Sequence, residues 1–182
     1  MPRALVTPPM WNRRPGKYLE ILEQAGFEVA YPPADANLSD PAVLRQVLQG
    51  ADALLASTEP LTRGILAASR LRVVARTGVG YDSVDVAAAT DLGIVVTITP
   101  GAVDVSAAEH TLALLLCLTR GIIARDRQVR TGVWERRALP QLAGKTFGIV
   151  GLGRIGRAVA VRARGLQMQV IAYDPQPDLE FA

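Results

Sequence analysis

Hydrophobic positions along the chain fall into two registers: short unbroken apolar runs, and longer stretches with helical spacing. Residues 4–7 form the first run, closed by Pro8-Pro9. Residues 17–25 place Tyr18, Leu19, Ile21 and Leu22 between Glu20, Glu23 and Gln24, a helical pattern stopped by Gly26. A strand over 27–31 ends at Pro32-Pro33. Ser39 as N-cap and Pro41 in the first turn predict a helix reaching Leu48, ended by Gly50. The series continues with a strand at 52–56, a short helix at 62–68, a strand at 71–76, a helix at 84–90 closed by Gly93, and a strand at 94–97. Strands alternating with helices predict a mostly parallel sheet covered on both faces. The order of the strands is not written in this pattern.

TITPGAV, residues 97–103, breaks the alternation and reads as a crossover between two lobes, 1–100 and 101–182. The pattern restarts as one long helix from about 104 or 106 to 130. Its middle, 112–118, is apolar on all sides, so it has to be buried between a domain and something else; a subunit interface and an internal core helix both meet that need. An arm over 132–141 follows and carries Trp134, a residue expected in packing or an interface.

The stretch TFGIVGLGRIGRAVAVRARGLQMQVIAYD, from Thr146, organises the second lobe. An apolar run (147–150) leads into Gly151-Leu152-Gly153-Arg154-Ile155-Gly156, then a helix to about 164, a second run (168–173) and an acid, Asp174. The order is strand, glycine turn, helix, strand, carboxylate, as a dinucleotide-binding βαβ unit requires. Gly151 permits the tight turn, Gly153 lets main chain approach a pyrophosphate, and Gly156 lets the helix pack closely on the sheet. The free N–H groups of Arg154 and Ile155 at the helix start face the phosphates. Asp174, eighteen residues beyond Gly156, accepts from an adenosine ribose and repels a 2′-phosphate, which favours NAD over NADP.

Composition narrows the class. The 182 residues are 49% hydrophobic and 20% charged, so a globular core is expected and disorder is not. A single cysteine, Cys117, excludes a disulfide within the chain and fits a reducing cytoplasm. Met1-Pro2-Arg3 leads straight into a strand with no signal pattern, and the longest apolar run, 112–118, is too short to span a bilayer. The net charge of +3 comes with a cluster of Arg120, Arg125, Arg127, Arg130, Arg136 and Arg137. No nucleic-acid motif accompanies it, so it reads as a solvated helix face and arm rather than a nucleic-acid patch. No residue is assigned to a metal.

Arg76-Thr77-Gly78-Val79-Gly80-Tyr81-Asp82 follows a strand and precedes a helix, at the sheet edge where ligands of open α/β sheets collect. Its main chain can bind a carboxylate, and Arg76 adds a two-pronged cation; a plain glycine turn with Arg76 on the surface is the alternative. His110, the single histidine, follows Glu109. Adjacent helical residues do not face each other, and no nucleophile completes a set, so His110 reads as structural. Cys117 reads as a small hydrophobe.

VARTGVGYDSVDVAAATDLGIVVTITPGA, SAAEHTLALLLCLTR, GVWERRALPQLAGKTFGIVGLGRIGRAVA and VIAYDP together resemble the D-isomer-specific 2-hydroxyacid dehydrogenases, in particular the phosphoglycerate dehydrogenase branch of serine biosynthesis, over residues 71–175. The resemblance implies a flavodoxin-like parallel-sheet substrate lobe followed by the first βαβ unit of an incomplete Rossmann NAD-binding domain. It implies that Val79 and Gly80 offer main chain to the substrate carboxylate, with Val79 also against the nicotinamide, and that Arg76 is a substrate-side cation. It implies that Arg154 and Ile155 bind the pyrophosphate and Asp174 the ribose. It further implies NAD as cofactor, a 2-hydroxy or 2-keto acid as substrate, and a cytoplasmic homodimer formed through the 106–130 helix and the Trp134 arm. Ile98 and Val103 stand where the family's hinge usually carries asparagines. The family's catalytic arginine, glutamate and histidine lie in a region beyond these residues, so the chain is expected to be a partial enzyme without a catalytic residue of its own. A non-catalytic NAD-binding or interaction module is the other reading.

Overall fold

The computed structural model describes residues 1–181. The chain divides into two compact units, Met1–Pro100 and Gly101–Ala182.

The first unit holds five parallel strands: β1 (Arg3–Val6), β2 (Glu28–Ala30), β3 (Ala53–Ala56), β4 (Val73–Arg76) and β5 (Val95–Thr97). Their order across the sheet is β2-β1-β3-β4-β5, the flavodoxin-like arrangement. The helices are α1 (Lys17–Gln24), α2 (Pro41–Val47), α3 (Arg63–Leu66) and α4 (Val86–Asp91). The chain steps outward from β1 to β2, then reverses and runs β3, β4, β5. Right-handed crossovers therefore put α1 on one face and α2, α3 and α4 on the other. The contacts of α3 with both α2 and α4 agree with that. Beneath these helices Leu44, Leu48, Leu54, Leu61, Ile65 and Val74 form the core. Switching direction between β1 and β3 opens the carboxyl edge of the sheet there, the position where such sheets take ligands.

Two local expectations change. The cap of α2 is Asp40, whose Oδ1 accepts from the N–H of Ala42 at 2.7 Å, and not Ser39. Both residue types cap helices, and the proline at the first helical position favours the residue just before it. A single 3-10 turn, Pro9–Trp11, also follows β1, where no element was expected.

The second unit contains α5 (Asp104–Thr119), α6 (Ile122–Arg130), an arm, and β6 (Thr146–Val150), α7 (Arg154–Gly165) and β7 (Gln169–Tyr173), the two strands pairing in parallel. The single long helix expected over 106–130 is two helices bent by 59° at Gly121, which adopts φ 58°. A left-handed residue ends the ladder of i→i−4 bonds, and glycine reaches that conformation at least cost. No single helix is long and apolar enough to cross a membrane among the described residues. Ala108 and Leu112 on α5 pack with Ile149, Leu152, Val159 and Ala160. The opposite side of α5 is open, with Leu118 81% exposed, so the apolar middle is not enclosed within its unit. Two arginines of the cluster hold the arm, Arg125 Nη2 donating to the Arg137 carbonyl at 2.9 Å and Arg120 Nη1 to that of Pro140 at 3.0 Å, while Arg130 pairs with Asp126 within α6.

Candidate functional site

In the second unit the strand, turn and helix of the glycine motif form as one local piece. Gly151 (φ 94°) donates its N–H to the Tyr173 carbonyl at 2.8 Å, which ties the end of β6 to the end of β7. A Cβ on Gly156 would lie 2.1 Å from the carbonyl oxygen of Gly151. Any side chain there would force α7 off the strand, so close packing and the glycine are one fact. A Cβ on Gly153 would meet nothing within 4 Å. The main chain therefore borders open space at the start of a 12-residue helix. Among the described residues, the N–H groups of Gly153, Arg154 and Ile155 donate to no protein acceptor. Free donors at a positive helix end, with bare backbone beside them, make a cradle that fits a pyrophosphate.

Asp174 closes this cradle at the end of β7. Its Oδ2 accepts from the N–H of Leu152 at 2.7 Å and its Oδ1 from that of Gln176 at 2.9 Å. A carboxylate has about four lone-pair sites, so both oxygens retain capacity for a ligand hydroxyl. Asp174 lines a cavity of about 560 Å³ shared with Leu152, Val161, Met168, Pro177 and Phe181. Arg157, one turn into α7, donates from Nε to the Leu152 carbonyl at 2.9 Å and from Nη1 to Asp178 Oδ2 at 2.6 Å. The Glu180 N–H and then Arg157 hold the Asp178 carboxyl below its ordinary range. Neither Arg157 nor Asp178 stands out in the sequence, because each gains its meaning from a partner 21 positions away.

In the first unit, Arg76 ends β4 and is only 8% exposed, not a surface residue. Its Nε donates to the Gly80 carbonyl at 2.9 Å. The side-on prong of the guanidinium thus braces the 76–80 loop, leaving the end-on pair of nitrogens for a ligand. The loop is anchored further by Thr77 and Thr99, whose N–H groups each donate at 3.1 Å, to the Ala56 and Gly78 carbonyls. The N–H groups of Gly78, Val79 and Gly80 have no protein acceptor among the described residues. Consecutive free donors of this kind form a carboxylate-binding concavity.

Sequence reasoning missed a buried polar cluster beside this loop. Glu59 is buried; its carboxylate accepts from the Thr7 hydroxyl and from the N–H of Ser57. It sits at the carboxyl ends of β1 and β3. Thr7 lies some fifty residues from its partners, so no local pattern announces the cluster. His110 and Glu109 are both exposed on α5, and Glu109 faces Arg162 of α7 at 3.6 Å instead of pairing with His110. That agrees with the helical geometry and leaves His110 without a partner carboxylate among the described residues.

Known proteins share both the sequence and the fold around these sites. The family described as D-isomer specific 2-hydroxyacid dehydrogenase, catalytic domain, matches residues 13–173. D-3-phosphoglycerate dehydrogenase of Archaeoglobus fulgidus is 49% identical over 113 residues, covering 61% of this chain and 21% of that protein. A glyoxylate reductase of Korarchaeum cryptofilum is 38% identical over 181 residues, covering 95% of this chain and 53% of that protein. Among solved structures, the TT0316 protein of Thermus thermophilus superposes with a TM-score of 0.85 at 34% identity, over 97% of this chain and 57% of that one. NAD-dependent formate dehydrogenase from Staphylococcus aureus, solved in complex with NAD, gives 0.79 at 29% identity, over 96% of this chain and 56% of that one. The chain thus spans little more than half of these structures, and about a fifth of the Archaeoglobus protein. A family match over most of its length and a shared fold around the glycine turn place it plainly: the chain belongs to the D-isomer specific 2-hydroxyacid dehydrogenase family.

Proposed function

We propose that this chain supplies part of an NAD-dependent oxidoreductase acting on the CH–OH group of a D-2-hydroxy acid, similar to phosphoglycerate dehydrogenase. The carrying observation is the bare main chain at Gly153 bordering open space, with the N–H groups of Gly153, Arg154 and Ile155 unclaimed among the described residues and Asp174 bonded into the same turn. In this reading the N–H groups of Gly153, Arg154 and Ile155 bind the pyrophosphate, and Gly151 and Gly156 shape the turn. Asp174 accepts from the ribose hydroxyls, and its negative charge disfavours a 2′-phosphate. Bound NAD supplies the hydride acceptor. In the first unit, Val79 and Gly80 present free N–H groups to the substrate carboxylate, Arg76 adds its end-on nitrogens, and Val79 also lies against the nicotinamide. No described residue is assigned the proton transfer that hydride chemistry requires, so the chain binds and orients but does not turn over by itself. The partners proposed are a small 2-hydroxy or 2-keto acid and a second copy of the chain, joined through α5, α6 and the Trp134 arm, in the cytoplasm.

Titration calorimetry tests the cofactor assignment. NAD is expected to bind more tightly than NADP, and Asp174→Ala is expected to cut that preference about tenfold, the worth of one charge-assisted hydrogen bond. Tighter binding of NADP by the unaltered chain would remove the role given to Asp174.

A further inference from the structure

Arg157 has no part in the reading so far, yet it carries three contacts. Its Nε donates to the Leu152 carbonyl at 2.9 Å and its Nη1 to Asp178 at 2.6 Å, while its guanidinium carbon lies 5.3 Å from the centre of the Phe181 ring. Leu152 is thereby held at both of its backbone groups, since its N–H is taken by Asp174. The carbonyl of Leu152 and the N–H of Gly153 belong to one peptide unit. In a planar trans peptide these two groups point in opposite directions. Drawing the carbonyl toward Arg157 therefore aims the Gly153 N–H away from the guanidinium, and among the described residues that N–H meets no protein acceptor. A guanidinium holds its N–H groups in a rigid plane, so the bonds to Leu152 and Asp178 fix each other's direction. The ring of Phe181 covers one side and limits rotation.

We propose that Arg157 is a positioning residue for the dinucleotide: it sets the orientation of the Leu152–Gly153 peptide so that the Gly153 N–H meets the pyrophosphate. This rests on the dinucleotide reading of the turn. Asp178 and Phe181 restrain the guanidinium, and the Leu152 carbonyl is the contact through which it acts. Without that bond the peptide is free to rock, and one phosphate donor is lost from the cradle before any ligand arrives.

The test titrates the whole chain with ADP-ribose, following heat by calorimetry and the Gly153 amide by NMR. In the unaltered chain the Gly153 amide shifts on addition of ADP-ribose. Arg157→Ala is expected to weaken binding about tenfold, the value of one hydrogen bond to a charged group, and to abolish that amide response. Asp178→Ala removes one restraint on the guanidinium but leaves the bond to Leu152, so it is expected to weaken binding by only about threefold, with the Gly153 response reduced and not abolished. Arg157→Lys retains a single donor and falls between the two, and it stands in for the alanine variant should that one not fold. Arg157→Ala binding like the unaltered chain with its Gly153 response intact would overturn the proposal. So would a loss in Asp178→Ala equal to that in Arg157→Ala, since that puts the effect in the cavity wall. Failure of the unaltered chain to bind ADP-ribose at all would instead overturn the proposed function, and this inference with it.

Discussion

Asp52 shows how one carboxylate organises the amino-terminal edge of the five-stranded sheet. Its Oδ2 accepts from the N–H of Arg3 at 2.8 Å and from Arg70 Nη2 at 3.0 Å, while its own N–H and carbonyl bond to Arg3 and Arg72. One residue thus ties the starts of β1, β3 and β4. The Arg3 N–H foremost, and then the charge of Arg70, hold its carboxyl below the ordinary aspartate range. A carboxyl lowered in the folded state stabilises above its unfolded value, near pH 4, and loses that effect as the pH falls through the folded value. Asp52→Asn is therefore expected to melt below the unaltered chain at pH 7, and the gap should close in scans taken progressively below pH 4. A gap that persists unchanged into acid would detach the carboxylate's charge from stability. At this scale the sequence is only partly informative. Gly156 is legible because its partner Gly151 lies five residues away, and Asp174 because an acid ending the second strand belongs to the expected order of strand, glycine turn, helix and strand. Glu59 is not legible, because Thr7 meets it only once β1 and β3 pair.

Among the elements, the break between α5 and α6 is the clearest case of a local residue outweighing a periodic pattern. Apolar positions continue through 122 and 123 at helical spacing, yet Gly121 turns the chain with a positive φ. Alanine at that position has to adopt the left-handed region at a cost of about 1–2 kcal/mol, or straighten the pair and lose the bond from Arg125 N to the Gly121 carbonyl. Gly121→Ala is expected to lower stability by about that amount in chemical denaturation. A rise in stability would show instead that the bend is imposed from outside the pair. Other boundaries moved by one or two residues only, as with β1 at Arg3–Val6 against an expected 4–7. Caps and strand ends depend on single hydrogen bonds that a pattern of apolar residues does not specify.

For the whole molecule, what stays uncovered matters as much as the cores. Leu118 is 81% exposed, Trp134 79% and Val150 90%, all in the second unit. Leu118 lies on α5 and Trp134 on the arm, the segments proposed for pairing, and exposed apolar side chains of this size favour association. With the proposed homodimer, the chain is expected to sediment at twice its 19.4 kDa, and Leu118→Asp to shift it toward the monomer. A monomer at all concentrations up to the millimolar range would exclude that pairing.

The alternation of strand and helix, the glycine turn with its terminal acid, and the family are legible in the amino-acid sequence because residues near one another in the chain carry each of them. The strand order β2-β1-β3-β4-β5, the bracing of the 76–80 loop by Arg76, and the grip of Arg157 on Leu152 and Asp178 emerge only in the folded chain. The physical reason is range. Periodicity and turn chemistry act over a few residues, whereas pairing, burial and the aim of a single peptide are fixed by groups that meet only after the chain has closed on itself.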